Sequence, residues 1–199
     1  MIGQVLDGTY RIYDKVGTGG FATVYLGRNL STNEIVAIKV LRQEYTEDPK
    51  YVQRFLREAQ LAETLQHPNV VCVLGSGVEG DDHYLVMEYV EGLDLRSALT
   101  RQDDASGQLV PGNRLPADDV LRHVGQICEV LEYLARRQPP VVHNDIKPGN
   151  IIVDEHSGRA VLVDYGTAKT RYLRPGGRPA RANESIYGTV GYAAPELYR

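Results

Sequence analysis

Eight consecutive residues, His143 to Asn150, set an imidazole, a carboxylate, an ammonium and a carboxamide between two short apolar runs, Val141-Val142 and Ile151-Ile152-Val153. Apolar runs that short read as buried strands, which places the polar cluster on the loop joining them. Asp145 stands two residues before Lys147 and five before Asn150. Together they can take a proton, hold a phosphate oxygen and ligate a hard cation. That set suits phosphoryl transfer, in which catalysis is mostly positioning and charge neutralisation. The same residues would also make an ordinary polar turn, so the rest of the chain has to decide.

Composition narrows the field. With 199 residues and 42% hydrophobic content, the chain can bury one or two modest cores. Its formal charge of −4 is spread without an acidic or basic block, which argues against nucleic acid or a membrane surface as the main partner. Cys72 and Cys128 both lie in apolar stretches and read as core residues. No Cys-x-x-Cys pair exists, which points away from a disulfide framework or a zinc site and toward a reducing, cytoplasmic setting. Met1 to Tyr10 lacks the basic-then-apolar pattern of a secretory signal. No apolar run is long enough to span a bilayer, so any anchor is expected beyond Arg199.

In order along the chain, Tyr10–Val16 and Val24–Leu30 read as a hairpin around Gly17-Thr18-Gly19-Gly20-Phe21-Ala22. Ile35–Leu41 is a third strand with Lys39 inside an apolar run. Asp48-Pro49 opens a helix in which Tyr51, Phe55, Ala59, Ala62 and Leu65 recur at spacings of three and four, stopping before His67-Pro68. Val70–Leu74 and Tyr84–Val90 read as two more strands, separated by a glycine-rich turn over 75–82. Residues 1–90 therefore predict a lobe of five strands with a helix at about 48–66. Glu91-Gly92 breaks the pattern. A short helix over Leu95–Thr100 follows, then a loop over Arg101–Leu115. Pro116–Arg137 is an amphipathic helix with Val120, Leu121, Val124, Ile127, Cys128, Leu131 and Leu134 on one face. The loop 143–150, strands at Ile151–Val153 and Ala160–Val163, and an aperiodic segment over 164–196 complete a second region, 91–199. A connection that long is normally functional or mobile.

Three further groups carry chemistry, each with a plainer alternative. Gly17-x-Gly19-x-x-Ala22-x-Val24 lets backbone N–H groups approach phosphate oxygens without an intervening Cβ, or is simply a glycine-rich hairpin. Lys39 in an apolar strand needs an anion, and Glu58 on the following helix is the natural partner; a lysine snorkelling from an edge strand is the alternative. Asp164 beside Tyr165-Gly166 at a strand end is a good hard-cation ligand, and equally the start of a β-turn.

The order and spacing of these pieces together resemble a eukaryotic-type protein kinase of the kind also common in bacteria. The resemblance runs from about Tyr10 to the last residues. It rests on the glycine loop, Val36-Ala37-Ile38-Lys39, Glu58, His143 to Asn150, Asp164-Tyr165-Gly166 and Ala194-Pro195-Glu196, in that order. It implies an α+β, bilobal fold with a β-rich first lobe and an incomplete helical second lobe. It also implies transfer of the γ-phosphate of ATP to protein hydroxyls with Mg²⁺, Mn²⁺ being the alternative ion. By that resemblance Lys39 holds the α- and β-phosphates and pairs with Glu58. Gly17, Thr18, Gly19, Gly20, Phe21 and Ala22 cover the phosphates. Asn150 and Asp164 ligate the metal, Asp145 accepts the hydroxyl proton, and Lys147 steadies the transferred group. Met87 falls at the gatekeeper position, Glu88 and Val90 at the adenine hinge, and Asp94 at the ribose, with Val24, Ala37 and Ile152 enclosing the adenine. The Asp-x-Lys-Pro-x-Asn loop and Gly188-Thr189-x-x-Tyr192-x-Ala194-Pro195-Glu196 resemble serine/threonine kinases, with a protein substrate.

Four departures qualify the likeness. Asn144 stands where the family usually carries arginine, so a charge-assisted clamp on a phosphorylated loop is absent, and phosphorylation at Thr167, Thr170, Ser185 or Thr189 is expected to be a weak switch. Ala22 replaces a third glycine. Tyr165 replaces phenylalanine, and its hydroxyl needs a partner if buried. The sequence stops at Arg199, which predicts apolar surface exposed along the long helix and around His143, with self-association through the incomplete lobe. The alternative function is a nucleotide-binding or scaffolding module with little transfer activity.

Overall fold

The computed structural model describes residues 1–102, 108–112, 114–170, 189, 191 and 192. Of the segment 164–196, therefore, Ser185, Gly188 and Ala194-Pro195-Glu196 lie outside the described residues. The chain divides into two compact units, Met1–Gln66 with Val71–Val90, and His67–Val70 with Glu91–Arg199.

The first unit is built on β1 (Val5–Leu6), β2 (Tyr10–Thr18), β3 (Ala22–Asn29), β4 (Ile35–Leu41), α1 (Pro49–Glu63), β5 (Val73–Glu79) and β6 (Asp82–Glu88). The strands form one antiparallel sheet in the order β1-β2-β3-β4-β6-β5. The expected five strands become six because Val5 and Leu6 pair with Arg11 and Tyr10; two residues are too few to show a period. Alternation along β4 decides its faces. Val36, Ile38 and Val40 join Leu6, Ile12, Tyr84 and Val86 in one cluster. Leu41 packs from the other face against Phe55 and Ala59 of α1. Burying Phe55, 1% exposed, contributes about 2–3 kcal/mol. The helix starts where Asp48 accepts the Lys50 N–H with proline following, and ends at Thr64, whose N–H reaches the Leu61 and Ala62 carbonyls.

The expected turn over 75–82 is shorter than anticipated. β5 continues through Gly75 and Gly77, and only Gly80 and Asp81 turn the chain. Gly77 is a packing glycine: a Cβ there would lie 2.4 Å from the Tyr84 hydroxyl oxygen. Cys72 is exposed, as is Cys128, contrary to the core positions read for both.

The second unit holds β7 (Gly92–Asp94), α2 (Leu95–Leu99), β8 (Thr100–Gln102), β9 (Leu109–Pro111), α3 (Ala117–Arg136), β10 (Val141–Val142), β11 (Ile151–Asp154), β12 (Ala160–Leu162) and β13 (Lys169–Thr170). β11 lies between β12 and β7, and β10 pairs with β13. The stretch read as a plain loop, 101–115, carries the β8–β9 ladder. On α3 the buried residues are His123, Ile127, Val130 and Leu134. Val120, Leu121, Val124 and Leu131 are 41, 70, 54 and 40% exposed. The expected apolar face thus splits, because the inward stripe passes through His123 and leaves the adjoining apolar residues outside. His143, expected near exposed apolar surface, is itself buried.

Candidate active site

In the first unit the β2–β3 hairpin pairs Gly17 with Val24 and Thr18 with Thr23. Gly19 N–H closes the loop on the Ala22 carbonyl at 2.8 Å. Arg42, at the end of β4, holds the loop from outside. Its backbone N–H donates to the Phe21 carbonyl at 3.0 Å, and its guanidinium donates to the Gly20 carbonyl at 3.2 Å and the Gly19 carbonyl at 3.4 Å. The Phe21 ring lies 4.4 Å from the Arg54 guanidinium carbon and 5.6 Å from Lys39 Nζ, within cation–π range of both. Neither Arg42 nor Arg54 stood out in the sequence, where isolated arginines carry no signal.

Lys39 projects from the α1 side of β4 and is 7% exposed. Its Nζ meets Glu58 Oε1 at 2.5 Å, and Glu58 is 4% exposed. Neither charge would remain buried without the other. Val24 lies opposite Lys39, and Ala37 opposite Met87, across the sheet. Glu88 is tied to Cys72 in both directions: its N–H donates to the Cys72 carbonyl at 2.8 Å and its Oε1 accepts the Cys72 N–H at 2.9 Å. Val90 is buried.

In the second unit the loop 143–150 converges on the Asp145 carboxylate, which is 8% exposed. Oδ2 accepts from Lys147 Nζ at 2.8 Å and from Asn150 Nδ2 at 3.1 Å. Oδ1 accepts the Thr189 hydroxyl at 2.6 Å, and Lys147 Nζ donates to that same hydroxyl oxygen at 2.7 Å. Burial alone would raise the Asp145 pKa, but the bonds from Lys147, Thr189 and Asn150 outweigh it and hold the carboxyl below its ordinary value. Thr189 had figured only as a phosphorylation candidate and in a family motif. Its link to Asp145 spans 44 positions, beyond any local pattern.

Asn150 is buried at the end of a 3₁₀ turn opened by Pro148, and Asn150 Nδ2 also donates to the Asp145 carbonyl at 2.8 Å. Its backbone carbonyl accepts the Val163 N–H at 2.9 Å, next to Asp164. Asp164 is exposed, adopts a left-handed φ of 66° and accepts the Gly166 N–H at 3.3 Å. Ile152 pairs with Asp94 across β11 and β7. Asp94 caps α2: Oδ1 accepts the Arg96 and Ser97 N–H groups at 3.0 Å each, and Oδ2 accepts the Ser97 hydroxyl.

Two aromatic groups underlie the loop. His143 and Tyr165 meet edge to face, centroids 4.8 Å apart. Burial pushes the His143 pKa down to about 4, against the opposing pull of Asp164 and Asp145. Tyr165 is 2% exposed, and its hydroxyl has no hydrogen-bond partner among the described residues. Burial, with a smaller contribution from Tyr133, raises its pKa.

In the first unit Lys39 can hold an anion; in the second, Asp145 can orient a hydroxyl, and Asn150 and Asp164 offer hard oxygen donors. The family model described as protein kinase domain matches residues 10–199. The chain is 37% identical over 199 residues to the serine/threonine-protein kinase PrkC of Bacillus subtilis, covering all of this chain and 28% of that protein. It is 32% identical over 200 residues to PknB of Mycolicibacterium smegmatis, covering 98% of this chain and 30% of that protein. It is 35% identical over 195 residues to the kinase pkn2 of Myxococcus xanthus, covering 96% and 22%. The chain thus spans less than a third of the length of these relatives. With its α+β architecture and its match across residues 10–199, the chain belongs to the protein kinase domain family.

Proposed function

We propose that this chain transfers the γ-phosphate of ATP to serine or threonine hydroxyls of a protein substrate. The observation that carries the reading is the Thr189 hydroxyl seated 2.6 Å from Asp145 Oδ1 and 2.7 Å from Lys147 Nζ. A carboxylate and an ammonium already share an aliphatic hydroxyl there, as the incoming nucleophile and the transferred group require. Held below its ordinary pKa, Asp145 is ionised at neutral pH and orients the hydroxyl, accepting its proton as the bond to phosphorus forms. General-base assistance of this kind typically contributes about 10²- to 10⁴-fold.

The donor sets fit the expected cofactor. An amide oxygen on Asn150 and a carboxylate on Asp164 are hard ligands suited to Mg²⁺, or Mn²⁺, which would neutralise phosphate charge. Lys39, oriented by Glu58, would hold the α- and β-phosphates under the loop from Gly17 to Ala22. Val24, Ala37, Met87, Glu88, Val90 and Ile152 would contact adenine, and Asp94 the ribose. No described helix is long and apolar enough to cross a membrane. The relatives named above are serine/threonine-protein kinases, which supports the choice of hydroxyl.

The test is phosphate incorporation into a generic basic protein with Mg²⁺ and ATP. Wild-type incorporation with at least a hundredfold loss in Asp145→Ala is expected. Equal incorporation by both would remove Asp145 from the mechanism. Nucleotide binding without transfer in the wild type would favour a scaffolding module.

A further inference from the structure

The left-handed turn of the loop 143–150 is made by Asn144, at φ 66°. Its side-chain amide bridges β10 and the turn that follows Asp164. Nδ2 donates to the Val142 carbonyl at 3.2 Å and to the Thr167 carbonyl at 2.9 Å. Thr167 answers in the opposite direction, its hydroxyl donating to the His143 carbonyl at 2.9 Å. Immediately outside this exchange, Val142 pairs with Lys169 and Val141 with Thr170. Immediately inside it, Ala168 N–H returns to the Tyr165 carbonyl at 2.9 Å. Every bond in the set joins neutral groups, and those of Asn144 with Thr167, of Thr167 with His143 and of the β10–β13 ladder run between the residues flanking Asp145 and those following Asp164.

We propose that Asn144 and Thr167 form a reciprocal, charge-neutral clamp that positions the Asp145 loop against the Asp164 segment without any phosphate. Asn144 combines two properties needed here. Asparagine tolerates the left-handed backbone, and its amide spans two carbonyls at once. Thr167 is correspondingly a positioning residue, its hydroxyl engaged as a donor. The clamp itself stands on these bonds; its importance for phosphoryl transfer rests on the function proposed above.

The experiment separates the two. Amide hydrogen exchange is followed on phosphatase-treated full chain in peptides covering 141–147 and 165–170, with β4 and α1 as internal controls. Thr167→Val removes the hydroxyl donor at nearly constant volume, Thr167→Ser restores it, and Asn144→Gly keeps the left-handed backbone while deleting the amide. Wild type and Thr167→Ser should be protected. Thr167→Val and Asn144→Gly should exchange roughly tenfold faster in both peptides, as loss of one or two net hydrogen bonds implies, with the controls unchanged. With Mg²⁺ and ATP, both should also lose kcat with little change in KM for ATP. Wild-type exchange that becomes protected only after phosphorylation would overturn the clamp. So would protection that survives both substitutions, even if activity fell. A chain that transfers no phosphate but shows the expected exchange pattern would leave the clamp standing and overturn the kinase reading instead.

Discussion

Thr189 Oγ1 donates to Asp145 Oδ1 at 2.6 Å while accepting from Lys147 Nζ at 2.7 Å, so one hydroxyl links the carboxylate and the ammonium that flank it. Removing a donor from an ionised carboxylate raises its pKa. Thr189→Val should therefore move the acid limb of the pH profile of kcat/KM to higher pH, and Thr189→Ser should return it. An unmoved limb would mean that the contact does not tune Asp145.

The Lys39–Glu58 pair is buried on both sides. Glu58→Ala should destabilise the fold by about 3–5 kcal/mol, because an ammonium would lose its compensating charge inside the protein. The double substitution Lys39→Met with Glu58→Leu should recover most of that loss while abolishing any nucleotide-dependent activity. Urea unfolding of the three variants checks both statements.

Tyr165 offers the opposite case. Its hydroxyl is buried without a partner among the described residues, a cost of about 1–3 kcal/mol. Tyr165→Phe should raise the melting temperature and preserve the edge-to-face contact with His143. A lower melting temperature would show that the hydroxyl is satisfied.

The depressed pKa of His143 has a defined pH consequence. Unfolded, the imidazole titrates near 6.5; folded, near 4. Between those values the unfolded chain binds the extra proton, so stability falls as pH drops through that window, by about 3 kcal/mol in all. Asp145, also lowered, adds its loss only as pH falls below its unfolded value of 3.8. His143→Gln should flatten the slope of unfolding free energy between pH 6.5 and 4, and an unchanged slope would assign the acid sensitivity elsewhere.

The outward apolar residues of α3 make a fifth expectation. Leu121 and Val124 are 70 and 54% exposed, and exposed apolar faces are where chains associate. Leu121→Lys with Val124→Lys should shift sedimentation toward monomer; identical sedimentation of variant and parent would exclude that face.

What the sequence revealed follows from how local each signal is. β4 was bounded correctly because seven nearly unbroken apolar residues end at polar ones, and the start of α1 because Asp48-Pro49 is a self-contained signal, although the helix ends at Glu63 rather than about 66. Gly75 and Gly77 misled because glycine serves tight packing as readily as turning, and only Tyr84 on the neighbouring strand distinguishes the two. The inner stripe of α3 was read only in part: Ile127 and Leu134 are buried as expected, while His123, which does not count toward an apolar period, and Val130 were missed. In the candidate site, the pairing of Lys39 with Glu58 followed from the cost of burying an ammonium alone. The reach of Thr189 to Asp145, and of Asn144 to Thr167, depends on chain folding across dozens of residues.

Asp94 leaves one last implication. Both of its carboxylate oxygens already serve the start of α2, so on the function proposed above a sugar hydroxyl arriving there would share Oδ2 with Ser97. Ligand affinity and the integrity of a five-residue helix then become linked quantities. On the function proposed above, a substitution at Ser97 alters nucleotide recognition by changing what else Asp94 must hold.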